Sequence, residues 1–92
     1  MIKSWQHKGL REFFFTGNKR GIVPAHEKRL KIILQRLNAA VVVQDMSTPG
    51  MNFHTLAGEY KGFYAVSVSG NWRVIFAFDG QDAHLVDYLD YH

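Results

Sequence analysis

The hydrophobic period of this chain changes once, near residue 53, and that change constrains the fold more than any other feature. Before it, apolar residues recur at helical spacing: Leu10, Phe13 and Phe14, then Leu30, Ile33, Leu34, Leu37 and Val41 in a single stripe. After it, "FYAVSVS", "WRVIFAF" and "AHLVDYLDY" alternate residue by residue, are rich in aromatic and branched side chains, and are separated by "GN" and "DGQD". Runs of that kind are half-buried strands joined by tight turns.

Punctuation residues sharpen the division. "TGNKRG" ends the first helix, Pro24 stands at the first position of the second with Glu27 in its opening turn, and "QDMSTPGMN" is a turn-rich connection. "MIKSW" opens as a short strand, and "FHTL" is a candidate for another ahead of the meander. An N-terminal strand, two helices and a three- to four-stranded antiparallel meander make an α+β fold with the helices on one face of the sheet. No repeat, low-complexity tract or linker divides the chain, and 92 residues at 47% hydrophobic content can bury one core, so one domain over 1–92 is expected.

Composition removes several classes of function. The chain has no cysteine, which excludes disulfides and thiolate metal sites and suits a reducing compartment. No apolar stretch approaches the roughly 18–20 residues of a membrane span, and "MIKSWQHKGLREFFF" lacks the apolar centre of a signal peptide, so the cytoplasm is the expected location. His7, His26, His54, His84 and His92 show no close pairing, and "DGQD" has too few ligands for a calcium loop. Neither a nucleophile elbow nor a phosphate-binding glycine loop is present, and no metal or cofactor is expected.

The net charge of +3 is unevenly distributed: residues 1–40 carry +7 and residues 41–92 carry −4. Lys28, Arg29, Lys31 and Arg36 put much of the excess on the second helix. A basic helix suits a polyanionic partner such as RNA, because each cation set against a phosphate releases condensed counterions. A solvated helix face is the plainer reading of the same residues.

Pairing the meander asks whether its polar residues converge. A two-residue loop at Gly70 and Asn71 puts Val68 opposite Arg73, and a four-residue loop over Asp79 to Asp82 puts Arg73 opposite Tyr88. Val66, Ile75 and Val86 then share the Arg73 face, while Trp72, Val74, Phe76, Phe78, Phe63, Leu85 and Leu89 form the more apolar one. Alternation carries Asp90 and His92 to the Arg73 side; a one-residue slip in either turn would undo this. Arginine offers a planar fork that suits phosphate oxygens, and histidine exchanges a proton near neutral pH. Cleaving RNA without a metal needs a base for the 2′-OH, a cation for the pentavalent phosphate and an acid for the departing 5′-oxygen. His92, Arg73 and His54 are residues of those types, with base and acid unassigned between the two histidines. Each also has a plainer reading, as an edge ion-pair partner, a solvated histidine or an unconstrained terminus.

Four segments, "MIKSWQHKGLREFF", "HTLAG", "NWRVIFAF" and "DYLDYH", together resemble HigB toxins, the host-inhibition-of-growth branch of the RelE-like toxins of bacterial toxin–antitoxin pairs. The resemblance covers essentially the full length. It implies a metal-independent, ribosome-dependent endoribonuclease of messenger RNA (an mRNA interferase) whose action arrests translation and growth. It further implies an active site of His54, Arg73, Asp90, Tyr91 and His92, in which the 2′-OH attacks its own 3′ phosphate and leaves a 2′,3′-cyclic phosphate and a 5′-OH. In that scheme His92 transfers the proton, Arg73 clamps the phosphate and Tyr91 contacts a base or sugar, although alternation puts Tyr91 on the face opposite His92.

The implied partners are the 70S ribosome with its message, and a small helix-turn-helix antitoxin (HigA-like) through which operator DNA is bound. Lys28, Arg29, Lys31 and Arg36 would meet ribosomal RNA. One position departs from the pattern: some HigB-like proteins carry lysine three residues after the histidine, where this chain has Ala57, so that contact is missing or supplied by Lys61. Two other readings of the chain are a non-catalytic ribosome or RNA binder that inhibits translation by occupancy, and an inactive partner of the antitoxin.

Overall fold

The first amphipathic run becomes helix α1 (Lys8–Thr16). His7 caps it, its Nδ1 accepting the Leu10 N–H at 2.9 Å, and Gly17 closes it in the left-handed region at φ 79° with its N–H bonded to Phe13 O. Gly9 inside the helix is unfavourable by propensity alone. Its reason is tertiary: a β-carbon there would stand 2.7 Å from Gly21 Cα, so the loop after α1 folds back directly against the start of the helix.

A 3₁₀ turn over Pro24–His26 leads into α2 (Glu27–Ala39), whose Leu30, Ile33, Leu34 and Leu37 are buried. The apolar stripe ends earlier than its spacing suggested. Ala40 is buried and Val41 is 54% exposed, because the Asp45 carboxylate accepts the N–H groups of Val41 and Val42 and turns the chain out of the helix.

The computed structural model describes residues 1–90, and its four strands lie in chain order as one antiparallel sheet: β1 (His54–Thr55), β2 (Tyr64–Ser69), β3 (Trp72–Asp79) and β4 (Asp82–Asp90). Val66, Val68, Val74, Phe76, Ala83, Val86 and Tyr88 face the helices and pack with Leu10, Phe13 and the α2 stripe. No helix is long and apolar enough to cross a membrane among the described residues.

Two features of the sheet differ from simple alternation. The loop at Gly70 and Asn71 has two residues as expected, since Ser69 pairs with Trp72, but Val68 bulges and Ser67 is the residue opposite Arg73. The second loop also has two residues instead of four, Gly80 and Gln81, because Asp79 pairs with Asp82; Gly80 supplies the φ of 62° such a loop needs. A second bulge follows, where Leu85 and Val86 together oppose Phe76. Leu85 sits at φ 55°, and its N–H donates to Ser4 Oγ at 2.9 Å.

That bulge belongs to the N-terminal segment. Instead of a continuous strand, Ile2 and Trp5 make two isolated parallel bridges to Ala83 and Val86. Backbone bonds from Lys3 N–H to Ala83 O and from Gln6 N–H to Val86 O, both 2.8 Å, hold the segment along the edge of β4.

The register changes accordingly. Arg73 faces Ser67 and Leu89, not Val68 and Tyr88, and Val86 turns into the core, where it is fully buried. Asp90 pairs opposite Trp72, one residue from Arg73 and hence on the helix side of the sheet, so the expected juxtaposition of Asp90 with Arg73 on one face does not form.

Candidate active site

On the face away from the helices the register sets out two adjacent rows. His54, Ala65, Ile75 and Asp87 form one across all four strands; Ser67, Arg73 and Leu89 form the next. His54 and Arg73 therefore share a surface although 19 positions separate them in sequence. With strands about 4.8 Å apart and same-face neighbours about 7 Å apart along a strand, their backbones stand about 12 Å apart. Ala65 and Ile75 between them are buried, at 0% and 1% exposure, which gives the face an apolar floor.

Arg73 is half-buried and folds back onto its own hairpin. Nη1 donates to Gly70 O at 2.7 Å and to Trp72 O at 3.1 Å. Its Nε is buried and finds no partner among the described residues, a cost the arginine carries inside the hairpin.

His54 has a defined tautomer. Its Nδ1 lies 2.8 Å from Asn52 O. A carbonyl oxygen only accepts, so Nδ1 carries the hydrogen, and in the neutral ring Nε2 keeps a lone pair.

Beneath this face, on the helix side, the end of β4 is anchored. Val23 N–H donates to Tyr88 Oη at 3.3 Å, and Tyr88 Oη lies 2.6 Å from Nδ1 of the buried His26. Trp72 packs on both rings, 4.7 Å from Tyr88 and 5.5 Å from His26 between centroids. Burial pushes the Tyr88 hydroxyl above its ordinary value, and the Val23 bond offsets part of that rise.

The basic helix lies on the other side of the sheet, and its four cations divide into two kinds. Lys28 and Lys31 are exposed. Arg36 donates to Thr48 Oγ1 at 2.7 Å, while Arg29 reaches Ser67 O through Nε (3.2 Å) and Nη2 (3.0 Å) and also bonds Gly50 O. Arg29 and Arg36 thus tie the 48–50 turn to α2. Lys61 and Ala57 are exposed on either side of a 3₁₀ turn over Gly58–Tyr60. Tyr91 and His92 lie outside the described residues. Among the described residues no three His, Asp or Glu groups stand together as metal ligands would.

Residues 3–92 match the family of RelE-like toxins of the type II toxin–antitoxin system HigB. The chain belongs to the HigB-like toxins. Endoribonuclease HigB from Proteus vulgaris is 34% identical to it over 92 residues, covering the whole of both chains. The α+β arrangement of two helices on a four-stranded antiparallel sheet is the RelE-like fold of this HigB-like toxin, and membership of the family implies an antitoxin partner. What sequence reasoning missed in the toxin is Asn52 and Ser67, the residues that support His54 and Arg73. The available signal was an asparagine, a residue tolerant of left-handed backbone, immediately before "FHTL"; within "QDMSTPGMN" it was absorbed into a generic turn.

Proposed function

We propose that residues 1–92 of this HigB-like toxin act in the cytoplasm as one domain that cuts messenger RNA on the ribosome. The observation that carries this reading is His54 and Arg73 on one sheet face, the histidine with Nδ1 bonded to Asn52 O so that Nε2 holds the lone pair of the neutral ring, and the arginine supplying a cation. The name of the Proteus vulgaris relative, an endoribonuclease, supports the same reaction class.

In this mechanism a lone pair on His54 Nε2 takes the 2′-OH proton, and the 2′ oxygen forms a bond to the adjacent phosphorus. Arg73 stabilises the charge that builds on the pentavalent phosphate. The bond from phosphorus to the 5′ oxygen then breaks, and His92 delivers a proton to that oxygen. The products are a 2′,3′-cyclic phosphate and a 5′-OH, with no metal taking part. Tyr91 contacts a base or sugar, and Asp90, opposite Trp72, acts on the proton transfers through its charge. Lys61 supplies the cation that Ala57 lacks.

The exposed Lys28 and Lys31 meet ribosomal RNA from the helix side, leaving the sheet face to the message. A ribosome that presents the strand in an attack-ready geometry lets so small a catalytic set suffice. A helix-turn-helix antitoxin (HigA-like) binds the toxin and carries the complex to operator DNA.

The test is primer extension on a message translated in vitro, with and without ribosomes, comparing wild type with His54→Ala, Arg73→Ala and His92→Gln. Cuts that require ribosomes and all three side chains are the expected result. Inhibition without cuts, surviving His92→Gln but weakened by Lys28→Glu and Lys31→Glu, would make occupancy of the ribosome the better account.

A further inference from the structure

The segment that leads into His54 is held far more firmly than a surface connection requires. Asn52 lies at φ 49°, one of two non-glycine residues with positive φ among the described residues. Left-handed backbone is strained for most side chains and least so, after glycine, for asparagine. This conformation places the Asn52 carbonyl against His54 Nδ1 at 2.8 Å while the Asn52 side-chain amide donates to Ser67 Oγ at 3.0 Å.

Ser67 is where these ties converge. Its N–H donates to Met51 O at 2.9 Å, its carbonyl accepts from Arg29, and it pairs directly opposite Arg73 in the sheet. Arg29 also bonds the Gly50 carbonyl. Residues 50–52 are therefore stitched to the strand that neighbours Arg73 and, through Arg29, to α2. His54 itself lies in a strand of only two residues and has little sheet of its own to orient it.

From this arrangement we propose that Asn52 is a positioning residue: its left-handed backbone, fixed by its amide bond to Ser67, holds His54 as the Nδ1–H tautomer with Nε2 turned toward the face that carries Arg73. Asn52 touches no reacting atom in this role. It acts through His54, by the rule that the hydrogen bond made at one ring nitrogen decides the protonation of the other. The catalytic part of the inference rests on the reading of His54 as the base; the tautomer part does not.

Two variants test it. Asn52→Ala removes the amide bond and puts a residue intolerant of left-handed backbone at the position, whereas Asn52→Gly removes the amide bond and keeps the backbone accessible. The readout is the ¹⁵N chemical shifts of the His54 ring, followed through its titration, together with single-turnover cleavage on ribosomes. Wild type is expected to show Nδ1 protonated and Nε2 not. Asn52→Ala is expected to show both nitrogens partly protonated in the neutral ring and a cleavage rate lower by about tenfold, part of the roughly 10²–10⁴-fold a positioned acid–base group contributes. Asn52→Gly should lie between the two.

If Asn52→Ala unfolds at a lower temperature but keeps the wild-type ring shifts and rate, the residue is merely structural and the proposal is overturned. A tautomer that shifts in a protein that never cuts RNA would uphold the positioning and remove the nuclease reading, so the two failures are distinguishable.

Discussion

The Tyr88 hydroxyl meets His26 Nδ1 at 2.6 Å and so joins the last strand to the turn that starts α2. Both rings are buried, and the same hydroxyl accepts the Val23 N–H. Tyr88→Phe keeps the ring packing against Trp72 but leaves a buried imidazole nitrogen and a backbone N–H without their partner. The expected cost is about 1–2 kcal/mol, a fall in Tm of roughly 5–15 °C for a domain of this size, read by thermal denaturation.

The same tyrosine gives the fold an alkaline limit. Its folded-state pKa lies above the ordinary 10.0, chiefly through burial. A group that keeps its proton more tightly folded than unfolded contributes stability that is fully present below the unfolded value and is lost as pH rises through the folded one. Denaturant midpoints measured from neutral pH upward should therefore drop once pH passes about 10, as the unfolded chain gives up the tyrosine proton that the folded one retains. In Tyr88→Phe this component of the decline should be missing.

Gly9→Ala reverses an ordinary expectation. In an exposed helix interior the change would stabilise by about 1 kcal/mol. Here the new methyl would stand 2.7 Å from Gly21 Cα and 2.9 Å from Gly21 O, both backbone atoms that cannot move aside as a side chain would. A loss of about 2 kcal/mol or more is expected, and a variant as stable as wild type would mean that the loop after α1 does not sit against the helix.

The cations of α2 should separate by assay. Arg29→Ala deprives the carbonyls of Ser67 and Gly50 of their donor and should destabilise the protein by about 1–3 kcal/mol. Lys28→Ala and Lys31→Ala, at exposed positions, should change stability by no more than about 0.5 kcal/mol. Their effect should fall instead on ribosome binding, as weaker affinity with a shallower dependence on salt, measured by sedimentation at several ionic strengths.

The sequence carried the elements well because they are written in local periodicity: the α1 and α2 stripes, Pro24 at the helix entry and the two-residue turn at Gly70 were all readable. The face that His54 and Arg73 share was not, although both residues were named. Its register depends on bulges at Val68 and Leu85, and the second of these accompanies the docking of Ser4 and Trp5, partners some eighty positions away. No local pattern reports such a shift, which is why Asp90 was expected beside Arg73 and is found across from Trp72. Arg29 read as a surface charge for the same reason, since only the folded chain brings the Ser67 carbonyl within its reach.

The bridges from Ile2 and Trp5 to Ala83 and Val86 also set the order in which the chain can be completed. During synthesis Ile2 and Trp5 have no edge to join until β4, some eighty residues later in the chain, has emerged. Such long-range closure is slow to form. A nascent chain halted before Ala83 would present β3 as a bare edge with its core-facing Val74 and Phe76 uncovered on one side, a template for pairing with other chains. The segment that holds Ile2 and Trp5 serves as the final seam of the sheet.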